Sequence, residues 1–447
     1  MIEIAETVES KQINDLPNEV LSKIFNFLPL LYLRATAKVC QKWFNLCGFL
    51  HTLRINAILS TESNISWRKV CLADISSKLI LAVTNATSLT FQNQMFIYGY
   101  FPGYTDKKSY ENITGTDNIK WQHWPHGLFS FDLHNKRFQT FYPNLIIDTD
   151  CSPWNSKLCI CGQNIIMFNP FLSDKICSFN ISNCEWTLAG HLLRTYELTV
   201  GYEQKVICFD SCSGPKILVL HLFDGNPCHG NDEILPFIDM YNVSSDGIIT
   251  AISCFKGNNL NRREFTLTKI DDHNFLLYGG FRYHSSDVQD YYEKILLDAF
   301  LLEFNSDYTE LHNLQKVAVE NVEINEKLYP YRVGNGIKLE DNILFLQRGI
   351  HLNQGILDNQ ESYHERESAF KHDISATIFP FMLDISRIIS HKIVSWKKVG
   401  KGQLLFGSNE NGWVPEVCSF FSGDNIIITC ENGSVEELGS YTSKVVI

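Results

Sequence analysis

The chain has 447 residues, 45% hydrophobic, 13% aromatic and 20% charged. This is the composition of a folded protein too long for one ordinary compact core, and it excludes a disordered chain. The formal net charge of −12 argues against nucleic-acid binding, which needs Lys and Arg to neutralise phosphate, and against docking on an anionic membrane surface.

Residues 1–12 read as a loose acidic tail. Glu3, Glu6 and Glu9 leave no basic region of a signal peptide, and no run approaches the length of a membrane helix. The 14 cysteines are then expected to be reduced and mostly buried. Their spacing makes no zinc pattern, because Cys159-x-Cys161 is too tight and has no matching second pair. No cofactor is expected.

Helical spacing begins at Ile13. Leu16, Val20, Leu21, Ile24, Phe25 and Leu28 recur at the period of an amphipathic helix. Asp15 is the expected N-cap, Pro17 the first-turn residue, and Pro29 the end. Leu30, Leu33 and Ala37, then Val39, Cys40, Trp43 and Leu46, predict one or two further short helices before Leu50. Residues 51–66 read as a connector with room for a short helix near Leu53–Leu59.

The pattern Leu16-Pro17-x-Glu19-Val20-Leu21-x-x-Ile24-Phe25-x-x-Leu28-Pro29, then Leu33, then Val39-Cys40-x-x-Trp43, resembles an F-box. The resemblance implies that this stretch docks on the Skp-type adaptor of a cullin-RING ubiquitin ligase while the rest of the chain binds a target. The adaptor contacts it implies are Leu16, Pro17, Val20, Leu21, Ile24, Leu28, Pro29 and Leu33. Trp43 and Ile24 are equally compatible with an internal core role. With no export signal or membrane segment visible, a cytoplasmic or nuclear location is expected.

From Trp67 onwards short apolar runs alternate with Gly, Asn, Asp and Ser, which predicts an all-β sandwich, barrel or propeller. A degenerate repeat favours a propeller. One half is an apolar strand ending in Gly or a small polar residue: MFIYGYF, LCICGQ, ICFDS, FLLYGGF, ILFLQRG and IIITCENG. The other half is an aromatic or apolar pair seven residues apart, at Phe131 and Phe138, Phe179 and Trp186, Tyr241 and Ile248, Phe304 and Leu311. This is similar to the kelch repeat, although only Gly279-Gly280 keeps its double glycine. A WD-type propeller and a sandwich remain alternatives.

The outer-strand positions Trp67, Phe138, Trp186, Ile248, Leu311 and Trp396 imply six blades over residues 67–447, with long inserted loops. Trp67 precedes the first complete copy, so its strand is expected to complete the last blade and close the ring. The expected fold is therefore α+β and multidomain, a short helical F-box followed by a kelch-like β-propeller. Trp186, Phe138, Tyr241, Phe304 and Trp396 are assigned to the core between blades.

No Gly-x-Ser-x-Gly, phosphate-binding Gly-rich loop or His-Glu-x-x-His is present. The expected function is a non-catalytic substrate-recognition subunit; the alternative is a kelch-type interaction scaffold without a ligase role. Aromatic-rich loops are the candidates for target contact. They carry Tyr104, Tyr110, Trp121 and Trp124 in 101–127, and Tyr283, Tyr291 and Tyr292 in 281–294. The polar stretch 348–368 is a weaker one.

Overall fold

A computed structural model describes residues 13–28, 33, 36–60, 66–70, 87–91, 94–100, 126–132, 138–141, 156–168, 174–193, 202–223, 236–257, 260–263, 265–287, 290–320, 328–330, 336–339, 341–351, 374–398, 403–404, 417–422, 425–430 and 442–446.

A 3₁₀ turn, Ile13–Asp15, leads into α1, Asn18–Asn26. The N-cap is Pro17 and not Asp15: its carbonyl accepts from the Val20 and Leu21 amides, and no side chain caps the helix. The second helix, α2, runs from Gln41 to Ser60. It crosses position 50 without a break, so most of the expected connector is helix. The helices enclose their own small core of Leu21, Phe25, Leu33, Cys47 and Leu50. Leu16, Leu28, Ala37, Trp43 and Leu46 pack against it. No described helix is long and apolar enough to cross a membrane.

The rest is a succession of four-stranded antiparallel units. β1 is Ser66–Val70. The first blade is β2 (Thr87–Phe91), β3 (Gln94–Tyr100), β4 (His126–Asp132) and β5 (Phe138–Phe141). The second is β6 (Lys157–Cys161), β7 (Asn164–Phe168), β8 (Lys175–Asn180) and β9 (Glu185–His191). The third is β10 (Tyr202–Ser211), β11 (Gly214–Phe223), β12 (Phe237–Val243) and β13 (Ile249–Lys256).

The fourth begins with β14 (Thr266–Lys269) and β15 (Asn274–Tyr278). A separate two-stranded hairpin, β16 (Phe281–Asp287) and β17 (Asp290–Ile295), follows before the blade resumes with β18 (Ala299–Phe304) and β19 (Leu311–Glu320). The fifth comprises β20 (Leu328–Pro330), β21 (Ile337–Leu339), β22 (Asn342–His351), β23 (Ile374–Asp384) and, after the one-turn helix α3 (Ile388–His391), β24 (Ile393–Lys398). β25 (Gln403–Leu404) pairs with β23. The sixth is β26 (Val417–Ser422), β27 (Asn425–Cys430) and β28 (Thr442–Val446), completed by β1. Trp67 pairs with Val445, so the first strand of the β region is the outer strand of the last blade.

Around the molecule the first strands stand side by side: β26 beside β2, β2 beside β6, β6 beside β10 and β10 beside β14. The third and fourth blades bury both faces, which is why their strands read as continuous apolar runs. On β11, Ile217 and Val219 pack towards the second blade while Leu218, Leu220 and Leu222 pack towards the fourth. On β15, Phe275 and Leu277 face the third blade and Leu276 and Tyr278 the fifth. Trp186, Tyr241, Phe304 and Trp396 all lie in such inter-blade cores. Trp396 Nε1 donates to the Tyr278 hydroxyl at 2.6 Å across the fourth and fifth blades. The side chain of Phe138 lies outside the described residues.

The sevenfold spacing has a simple cause. Phe131 with Phe138, Phe179 with Trp186, and Phe304 with Leu311 are register partners on the consecutive third and outer strands of their blades. The third blade departs from this. There the closing pair is Val243 with Ile249, two residues beyond Tyr241, so Tyr241 pairs with Ala251 and Ile248 sits in the turn half exposed; Ile249 enters the core instead. The glycine-type strands also divide. MFIYGYF, FLLYGGF, ILFLQRG and IIITCENG lie on second strands, whereas LCICGQ and ICFDS fall on first strands β6 and β10. The second strands there are β7 and β11, which carry no terminal glycine signal.

The fourth and fifth blades share one continuous sheet. Their outer strands β19 and β24 pair in parallel at Ala318–Glu320 and Ile393–Ser395. Arg387 to Glu320 at 2.6 Å and Lys392 to Glu303 at 3.2 Å flank the junction.

Candidate functional site: an apolar face on the helical module

Each apolar residue of α1 has one of two fates. Leu21 and Phe25 point into the helical core, with Phe25 edge-on to Trp43 at 4.9 Å. Pro17 is exposed, as are Val20 (40%), Ile24 (39%) and Phe27 (89%). Steps of three, four and three residues put Pro17, Val20, Ile24 and Phe27 in one stripe along the helix. A helix of nine residues with apolar side chains on two faces has more apolar surface than its own core uses.

Of the eight residues expected to meet an adaptor, Pro17, Val20 and Ile24 lie on this stripe. Leu21 and Leu33 are fully buried, and Leu16 and Leu28 pack against the same core. Pro29 lies outside the described residues. Of the two residues left open, Trp43 joins the helical core and Ile24 faces outward. Phe27 was missed, although its position three residues after Ile24 continues the stripe.

Two basic side chains of α2 hold α1 in place. Lys42 Nζ donates to the carbonyls of Asn14 and Leu16, both at 2.8 Å. Arg54 donates to the carbonyl of Leu28 at 2.6 Å and to that of Asn26. The first tie is at the start of α1 and the second at its end, so the helices run in the same direction. Arg54 satisfies carbonyls that have no partner within the helix and places positive charge at the negative end of its dipole. Burial, with Cys40 nearby, pushes the Cys47 thiol up. Cys40, Cys47, Cys159, Cys161, Cys177, Cys184, Cys208, Cys212 and Cys254 are free thiols.

The β region has a second convergence of titratable groups. His221 Nε2 and Asp239 Oδ2 lie 3.1 Å apart, each 1% exposed, between the second and third blades. Burial alone would raise Asp239. The hydrogen bond and charge of His221, with Cys254 and Tyr241, outweigh it and hold the carboxyl below the usual carboxylate range. Tyr241 donates to Asp239 at 3.4 Å and accepts from the Leu193 amide at 3.2 Å. This group is enclosed and spends its chemistry on joining two blades.

Tyr104, Tyr110, Trp121 and Trp124 lie outside the described residues. Tyr283, Tyr291 and Tyr292 do not lie on a loop: they are on the hairpin β16–β17, where Tyr283 pairs with Glu293, Ser285 with Tyr291, and His284 with Tyr292.

Residues 13–52 match the F-box domain family. No kelch-repeat family matches the β region. No curated protein matches the chain. Among solved structures, the structure of YjhT is similar with a TM-score of 0.41 and 12% identity, covering 82% of this chain and 94% of that one. The exo-β-1,3-galactanase 1,3Gal43A from Clostridium thermocellum gives a TM-score of 0.35 and 10% identity, covering 75% of this chain and 65% of that one.

Proposed function

We propose that the chain is the substrate-recognition subunit of a Skp–cullin–F-box ubiquitin ligase, with a kelch-like propeller as its target-binding part. F-box domains in general serve an adaptor-type role, and the observation that carries the reading here is the second, unburied apolar face of α1 inside that domain. Pro17, Val20, Ile24 and Phe27 form the anchor for a Skp-type adaptor, with Leu21, Phe25 and Leu33 supporting them from below. Apolar anchors of this kind dominate protein interfaces. The mechanism is proximity. A target held on the propeller meets the ubiquitin-charged enzyme at high effective concentration, and the chain itself does no covalent chemistry.

The test is co-purification of the full chain with a Skp-type adaptor. Wild type is expected to capture it; Val20→Glu with Ile24→Glu is expected not to, with thermal unfolding unchanged. Equal capture by both, or none by wild type, rejects the proposed surface or the proposed role respectively. Ubiquitin conjugates on co-purified partners then separate a ligase receptor from a scaffold.

A further inference from the structure

Three thiols meet at one blade boundary. Cys159 and Cys161 stand two residues apart on β6, so they share a face of the strand. Cys208 stands on β10, the first strand of the next blade, on the face it shares with Val206. All three enter the core between the second and third blades, where β6 and β10 stand side by side. Among the described residues no other inter-blade core holds more than one cysteine. Cys177 lies between the first and second blades, and the cores on either side of the fourth blade hold none.

The sulfurs meet through hydrogen bonds that run in one direction. The bond to Cys208, then burial, pushes the Cys161 thiol up, so Cys161 donates and Cys208 accepts. Cys208 is pushed up in turn, chiefly by its bond to Cys159, so it donates onward. Cys159 is the end of the chain. The other two sulfurs hold their protons, which makes Cys159 the nucleophile of the three.

The group is not sealed. Cys159 and Cys161 are each 7% exposed, but Cys208 is only half-buried. Gly162 and Gln163, which follow Cys161, and Asp210, two residues after Cys208, are exposed. Solvent therefore reaches the trio at Cys208, and a small oxidant can follow it. Core packing uses a thiol as a small apolar group and needs no such meeting of three across a boundary. The receptor role does not use them either.

We propose that Cys159 and Cys208 are an oxidisable pair, which a peroxide turns into a disulfide that locks the first strands of the second and third blades together. The Cys159 sulfur attacks one oxygen of hydrogen peroxide and the O–O bond breaks. The thiol proton leaves with the departing hydroxide as water, and Cys159 becomes a sulfenic acid. This ends the hydrogen bond that held the proton on Cys208. The Cys208 sulfur then attacks the Cys159 sulfur, the S–O bond breaks, and the Cys208 proton leaves with that hydroxide as a second water. Two thiols are oxidised to one disulfide, and one peroxide is reduced to two waters. A transient bridge of this kind is compatible with a compartment that keeps other thiols reduced.

The full chain is reduced, freed of reductant, exposed to hydrogen peroxide, alkylated and mapped by peptide mass spectrometry. The expected product is a Cys159–Cys208 cross-linked peptide that dithiothreitol reverses. The oxidised protein is expected to unfold at a higher temperature than the reduced one; an equal or lower temperature overturns the lock. Cys208→Ser keeps a donor but cannot resolve the sulfenic acid, so the bridge is lost and dimedone traps Cys159. Cys161→Ser keeps the bridge. No bridge at a peroxide concentration that oxidises the exposed Cys184 and Cys212 overturns the proposal, as does a bridge from Cys208 to Cys161 or to any other cysteine. The wild-type map is read without either variant, so a variant that fails to fold leaves the test intact.

Discussion

Val20 and Leu21 are sequence neighbours with opposite duties. Leu21 is fully buried in the helical core, so Leu21→Ala is expected to cost about 2–5 kcal/mol, seen as a lower unfolding temperature of the helical module. Val20 is exposed; Val20→Glu should change stability by less than about 0.5 kcal/mol while abolishing adaptor capture. At His221–Asp239 the effect depends on pH. The folded-state pKa of Asp239 is depressed, so its contribution is present above the unfolded carboxylate value of about 3.9 and fades as pH falls through the folded value. Asp239→Asn removes the buried carboxylate that His221 and Tyr241 meet and is expected to cost about 1–3 kcal/mol near neutral pH. The difference from wild type should shrink in urea titrations near pH 3. The Val20–Leu21 pair also shows what local pattern leaves open. Helical spacing identified both as face-forming residues, but which face is covered depends on where α2 lies.

At the scale of elements, α2 is longer than its sequence pattern indicates. Phe44, Phe49 and Leu53 are exposed on it, and these apolar residues off the core side blur the periodicity that would otherwise mark a continuous helix. The last part of α2 matters because Arg54 closes the end of α1. Arg54→Ala is expected to destabilise the module by about 1.5–3 kcal/mol and to weaken adaptor binding, with partial recovery in Arg54→Lys; calorimetry and adaptor titration would read these out. The hairpin β16–β17 was legible as an aromatic insertion but read as a loop. Its strands are short and polar, and their pairing is set at the root by the glycines and by Arg262, whose buried guanidinium donates to the Gly279 carbonyl at 3.0 Å and to Asp298 at 2.7 Å. Gly280→Ala is expected to cost about 1–3 kcal/mol and lower the unfolding temperature, because the position needs a positive φ and has no room for a Cβ.

For the whole molecule, closure depends on β1. Pairing of Ser66–Val70 with Thr442–Val446 covers the outer edge of the last blade and ties the two ends of the β region together. A chain beginning at residue 62 keeps that strand and is expected to unfold cooperatively as a monomer. One beginning at residue 72 leaves the edge of β28 open and is expected to aggregate or lose cooperativity, as size-exclusion chromatography and thermal unfolding would show. The second tie, between β19 and β24, makes the fourth and fifth blades one sheet. It was not foreseeable from repeat spacing, because each strand alone looks like an ordinary outer strand.

By itself, the amino-acid order determined the helical module with its F-box pattern, the strand-rich remainder, and the sevenfold spacing that marks paired third and outer strands. The position of Trp67 ahead of the first complete blade also carried the closure. These are local facts, set by period and turn chemistry over a few residues. Only the tertiary structure decided that Leu21 and Leu33 are core while Val20, Ile24 and Phe27 face outward, that Ile249 replaces Ile248 between blades, and that LCICGQ and ICFDS are first strands. It also placed Arg262 under the hairpin and Arg54 at the end of α1. Each of these depends on what stands opposite a residue from a distant part of the chain, and hydrophobic periodicity does not encode that distance.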